Sequence, residues 1–137
     1  MDQTTICNKR ETYRVNTLAL IACVQLSTSD DSNDLLTDHL RRVRRRWLDV
    51  NLSIGGISFP DKWGWGYNCG DLIQMYIEPL SGQPVVAVAQ VVRRDSPANG
   101  VATVASRFLR LSPEAERKLS FTVLDCQRKQ CSVKGRF

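Results

Sequence analysis

The sequence predicts a mainly β domain, with about six short strands forming a small antiparallel barrel or sandwich under a single C-terminal helix. Three observations predict it. Runs rich in Val, Ile, Leu and Thr recur along the chain, one of them with clear period-two alternation. Turn-forming residues punctuate these runs at short intervals. Only the segment after Ser112 combines a helix start with three- and four-residue apolar spacing. With 137 residues, 42% of them hydrophobic, the chain is long enough for one domain with its own core.

The first strand is expected over Val15 to Leu26, where β-branched and aliphatic residues run without helical spacing of polar positions. Ser27 to Asn33 ends it as a polar loop, and Asp34 to Leu40 reads either as a helical turn or as more of that loop. From Arg46, Leu48, Val50, Leu52 and Ile54 alternate with Asp49, Asn51 and Ser53, giving a second strand with one apolar face. Gly55-Gly56 interrupts it. A tight turn is expected there, using either positive φ or close backbone approach, with Ile57 to Pro60 as the return strand.

Trp63 to Gly70 is a glycine-aromatic loop, in which Trp63, Trp65 and Tyr67 are expected to serve packing. Further strands follow at Asp71 to Glu78, Val85 to Val92 and Val101 to Leu109, separated by turns at Ser81-Gly82-Gln83-Pro84 and Asp95 to Gly100. Ser112-Pro113-Glu114 starts a helix expected to reach Gln130. Serine caps free N–H groups, proline fits the first helical position and glutamate favours the positive end. Ala115, Leu119, Val123 and Cys126 form its apolar stripe.

Composition narrows the function. The longest apolar run, Leu18 to Val24, is far short of the roughly 20 residues that span a bilayer, and the Met1 to Thr5 segment lacks the basic start of a signal peptide. A soluble, cytoplasmic protein is expected. The five cysteines are odd in number and form no Cys-x-x-Cys pair, so neither a zinc site nor a disulfide framework is expected; Cys23 and Cys126 read as small core residues. The net charge of +5 is locally concentrated, with Arg41, Arg42, Arg44, Arg45 and Arg46 following Asp30, Asp31, Asp34 and Asp38. An anionic partner fits that pattern.

No catalytic arrangement stands out, and the reading is of a protein that is not an enzyme. The chain has neither a phosphate-binding Gly-x-x-x-x-Gly-Lys nor a Gly-x-Ser-x-Gly, and its single histidine, His39, lies in a polar stretch. Two other short patterns carry more information. Lys9-Arg10-Glu11-Thr12-Tyr13-Arg14 sets two arginines four apart just before the first strand, and Asn51-Leu52-Ser53-Ile54-Gly55-Gly56 sits at a strand-turn boundary. In this order, with Gly70-Asp71 opening a middle strand and a final strand feeding a helix, the chain resembles the PilZ domain family, whose signature is Arg-x-x-x-Arg followed by Asp/Asn-x-Ser-x-x-Gly.

The resemblance implies a six-stranded antiparallel β-barrel with a C-terminal helix, spanning residues 15–137, and a flexible arm over residues 1–14 that folds across a ligand on the outer barrel surface. It implies that the ligand is cyclic di-GMP, bound by Lys9, Arg10, Arg14, Asn51, Ser53, Gly55 and Gly56, with no further cofactor. A basic residue at the Lys9 position accompanies binding of an intercalated ligand dimer in the family. An unidentified downstream protein is the implied partner.

Elementary chemistry agrees with those roles. A guanidinium forks onto phosphate or onto guanine O6 and N7, and it stacks flat on a base. Asn51 and Ser53 are two apart on a strand and so share a face. Asn51 stands where aspartate is more usual in the family, replacing a carboxylate by one neutral acceptor. Arg93 and Arg94 read first as an exposed strand end, with added stacking on the ligand as the alternative. If the second strand begins near Arg44, alternation places Arg45 on the Asp49-Asn51-Ser53 face, where it would strengthen the positive field. Two other functions remain open: a protein adaptor of the same fold without nucleotide, and a basic barrel binding nucleic acid through Arg41 to Arg46, although nucleic acid is not the expected partner.

Overall fold

In the computed structural model, residues 14–26, 40–62 and 65–135 are described, with side chains up to Gln130. The strands are β1 (Val15–Leu26), β2 (Arg46–Leu52), β3 (Gly56–Pro60), β4 (Leu72–Pro79), β5 (Val85–Asp95) and β6 (Thr103–Arg110). All neighbours are antiparallel, and the order β1-β2-β3-β6-β5-β4 closes on itself. The fold is therefore a closed six-stranded barrel, the architecture that leaves no sheet edge unpaired. β1 makes closure possible through its length. Its first half, Val15 to Ile21, pairs with β2, and Ala19 to Leu26 pairs with β4.

Burial follows the period of two that the sequence carries. On β2, Leu48, Val50 and Leu52 point inward while Trp47 and Asp49 stay exposed. The same inward rows from β1 (Ala19, Ile21), β3 (Ile57, Phe59) and β4 (Ile73, Met75, Ile77) fill the barrel. The helix α1 (Pro113–Gly135) packs on β1 and β5 and adds Ala115, Leu119, Val123 and Cys126 to this core. Removing side chains such as Leu119 and Val123 from water contributes about 1.5–3 kcal/mol each.

Element boundaries differ from the sequence reading where side chains intervene. β2 stops at Leu52 and does not reach Ile54, because Ser53 turns its backbone N–H onto Gly56 O at 2.9 Å. β5 runs past Val92 to Asp95, with a register irregularity between Val91 and Arg93. The helix starts at Pro113 as expected, its first turn fixed by Ala115 N donating to Ser112 Oγ at 3.0 Å. It continues beyond Gln130 because Cys131 to Lys134 contains no helix breaker before Gly135. The backbone is helical at residues 40–42, and the rest of the Asp34 to Leu40 segment lies outside the described residues.

The aromatic loop serves packing. Phe59 meets Trp65 and Tyr67 edge-on at ring-centroid distances of 5.8 and 6.5 Å, and Trp65 stacks on Tyr67. Trp63 lies outside the described residues. Asp61, itself buried, holds the loop: its carboxylate accepts from Trp65 N at 2.9 Å, from Gly66 N at 2.8 Å and from Arg94 Nη1 at 2.8 Å. Arg94 also donates to Tyr67 O at 2.8 Å. It is thus a structural residue, not an exposed stacking group. Cys23 and Cys126 are buried and Cys69 is exposed, while Cys7 and the Cys131 side chain lie outside the described residues. Burial pushes the Cys23 thiol up to about 12.

Candidate functional site

The β2–β3 turn and the start of β1 meet on one side of the barrel. Val15 pairs with Leu52, which sets Arg14 beside Ser53 across the strands. Asn51 lies between Asn16 on β1 and Ser58 on β3, and its Nδ2 donates to Asn16 Oδ1 at 2.9 Å. Ser53 Oγ accepts from Gly56 N at 3.1 Å, so the hydroxyl braces the turn. The turn is joined to β6 by Phe108 N donating to Gly55 O at 2.9 Å.

The two glycines have different reasons for being there. Neither has positive φ; among the described residues that conformation belongs to Gly66, Gly70 and Gly100. Gly56 is instead a close-approach glycine, because a Cβ there would lie 2.2 Å from Ser106 O and 3.1 Å from Arg107 Cα on β6. A Cβ at Gly55 would meet nothing nearer than Ser53 Oγ at 4.0 Å. Of the two alternatives the sequence allowed for the turn, the barrel uses close approach at Gly56.

These residues line one groove of about 610 Å³, within the range of ordinary small-molecule sites. It collects Arg14, Asn51, Ser53, Gly55 and Gly56, and adds Arg93, Arg107 and Glu116. Lys9 and Arg10 lie outside the described residues. Arg107 reaches the groove because β6 pairs it directly with Gly56, and its Nη2 donates to Gln90 Oε1 at 3.3 Å. Arg93 arrives through the irregular register around Val92, a device that re-aims side chains next to binding sites. It also pairs with Asp95 at 3.0 Å, an exposed contact worth little in water.

The sequence missed Arg107 and Glu116 and did not separate Arg93 from Arg94. None of these has a local signal; their position depends on strand register and on where the helix lands. Arg45 is corrected. Its guanidinium lies 4.3 Å from the centroid of the Tyr76 ring on β4, at the far end of β2 from Asn51. β2 begins at Arg46, so the strand alternation that would carry Arg45 onto the Asn51 face does not reach it, and Arg45 is not among the residues that line the groove.

The PilZ domain family matches this sequence over residues 8–124, which includes both arginine positions, the turn, all six strands and the first half of α1. The chain belongs to the PilZ family. Solved structures show the same PilZ fold. The crystal structure of YcgR in complex with c-di-GMP from Escherichia coli is similar with a TM-score of 0.61 at 16% identity, over 90% of this chain and 48% of that one. The PilZ domain of Escherichia coli YcgR with c-di-GMP aligns at a TM-score of 0.53 and 18% identity, over 90% and 97% of the two chains. The Bacillus subtilis inhibitor of motility (MotI/DgrA) aligns at 0.58 and 15%, over 87% and 50%. At these identities the likeness is one of fold, and the chain spans about half the length of full YcgR and of MotI. No match was found among curated proteins.

Proposed function

We propose that the protein is a cyclic di-GMP receptor that passes the level of this messenger to a partner protein and carries out no catalytic step of its own. The observation that carries the reading is the groove, where Arg14 from one family motif meets Asn51, Ser53, Gly55 and Gly56 from the other. Membership of the PilZ family and the c-di-GMP held by YcgR support the choice of ligand.

The physical roles follow from side-chain chemistry. Arg14, Arg93 and Arg107 supply positive charge and planar forks for two phosphates and two guanines. Asn51 offers a carbonyl oxygen to a base edge, its NH₂ being held by Asn16. Gly55 and Gly56 line the groove without side chains, and Gly55 has open space where a Cβ would be, so a flat base can approach the backbone. Residues 1–14 form an arm in this reading. Lys9 and Arg10 close over the bound ligand, and the ordered arm presents a new surface to a downstream protein. The proposed compartment is the cytoplasm; among the described residues no helix is long and apolar enough to cross a membrane.

Titration calorimetry of the chain with cyclic di-GMP tests the reading. Binding should be saturable, and Arg10→Ala or Arg14→Ala should each weaken it by about 1–3 kcal/mol, the worth of a forked contact. No heat with the wild-type chain would refute the ligand. Binding to an oligonucleotide that survives Arg14→Ala but is lost on neutralising Arg41 to Arg46 would favour a nucleic-acid-binding barrel instead.

A further inference from the structure

The groove contains one carboxylate among its lining residues, and neither family motif accounts for it. Glu116 lines the groove together with Arg14, Arg93 and Arg107. It is exposed on the first turn of α1 and forms no ion pair among the described residues, whereas Glu114, two positions earlier, pairs with Lys118 at 3.2 Å. Favourable interaction with the helix dipole applies to both glutamates and does not explain why one of them faces a cationic groove. A site needing only phosphate affinity gains nothing from a negative charge there.

Asn51 supplies the second observation. Its Nδ2 is committed to Asn16 Oδ1 at 2.9 Å, so a single neutral oxygen is left for a ligand. The Watson–Crick edge of guanine carries two adjacent donors, N1–H and N2–H. A carboxylate meets both with two charged acceptors, while an amide carbonyl offers one neutral oxygen. Adenine has an acceptor at N1, which a carboxylate repels.

We infer that Glu116 is a guanine-reading residue: its two carboxylate oxygens accept from N1–H and N2–H of one base of the dinucleotide and set the preference for guanine over adenine. This rests on the cyclic di-GMP reading above. It also links ligand to helix, since the base-reading carboxylate belongs to α1 while Asn51 and Ser53 belong to the β2–β3 turn.

The test is calorimetry with both cyclic di-GMP and cyclic di-AMP on the wild-type chain, Glu116→Gln, and the double variant Asn51→Asp/Glu116→Gln. The wild type should prefer cyclic di-GMP. Glu116→Gln should weaken cyclic di-GMP by about tenfold, the worth of one charge-assisted base contact, without weakening cyclic di-AMP. The double variant should recover guanine preference, because it returns a carboxylate to the groove. Equal or tighter binding of cyclic di-GMP by Glu116→Gln, or a double variant no more selective than the single one, overturns the inference while the receptor reading stands. A wild-type chain that binds neither dinucleotide overturns both. The ratio of the two affinities is the decisive readout, because a general loss of folding would lower both ligands together.

Discussion

Replacing Gly56 by alanine adds one methyl group where β3 faces the Ser106–Arg107 backbone of β6. The new Cβ would lie 2.2 Å from Ser106 O and 3.2 Å from Ser106 C, roughly 1 Å inside ordinary van der Waals contact. The obstacle is backbone, so no side-chain rotation relieves it, and β3 must move off β6. Overpacking of this kind costs about 1–3 kcal/mol. The adjoining bonds from Ser53 N to Gly56 O and from Phe108 N to Gly55 O stretch with it, at about 1 kcal/mol each. A loss of about 3–5 kcal/mol is expected, a large part of the 5–15 kcal/mol that stabilises a typical domain. Urea denaturation measures it as a lower midpoint with an unchanged slope. Gly55→Ala is the control: with 4.0 Å to its nearest neighbour and no positive φ, it should stay within about 1 kcal/mol of wild type. A Gly56→Ala protein as stable as Gly55→Ala would refute the close-approach argument.

Four further outcomes follow from the same structure. Asp61→Asn removes the charge opposite Arg94 and one acceptor of the 61–67 loop, and should cost about 3 kcal/mol in urea denaturation, with Trp fluorescence reporting loosening around Trp65. Ser112→Ala should cost about 1 kcal/mol by removing the cap on Ala115 N, read as a lower thermal midpoint with the barrel otherwise unchanged. Cys23 gives a pH dependence: its thiol ionises at 9.0 when unfolded and at about 12 in the fold, so the unfolded state sheds the proton first. Its contribution to stability is complete below pH 9 and lost as pH rises towards 12, and Cys23→Ala should show a shallower alkaline loss. Iodoacetamide at neutral pH should modify exposed Cys69 well before buried Cys23.

The strands and the helix were legible because their signals are local. The alternation of Leu48, Val50 and Leu52 with Asp49 and Asn51 depends only on neighbours in sequence, and so does the Ser112 cap. The paired motifs were legible as a pattern in order, and the groove then brings Arg14 to Ser53 and Gly56. Arg107 was not, since facing Gly56 is a consequence of the β3–β6 register, set by residues some fifty positions apart. Arg93 and Arg94 are adjacent and chemically identical, yet one lines the groove and the other pairs with buried Asp61; only the irregular register near Val92 and the folded 61–67 loop distinguish them. Arg45 was not fixed by the pattern because β2 begins one residue later, at Arg46, and its guanidinium lies against the Tyr76 ring instead.

In the proposed function, one groove, formed by the β2–β3 turn with β1 and β6, receives cyclic di-GMP. Amide chemical-shift mapping during titration with the dinucleotide tests it most directly. The largest shifts are expected at Asn51 to Ile57, Arg93 and Ala105 to Arg107. Shifts confined to Arg41 to Arg46, or none at saturating ligand, would contradict it.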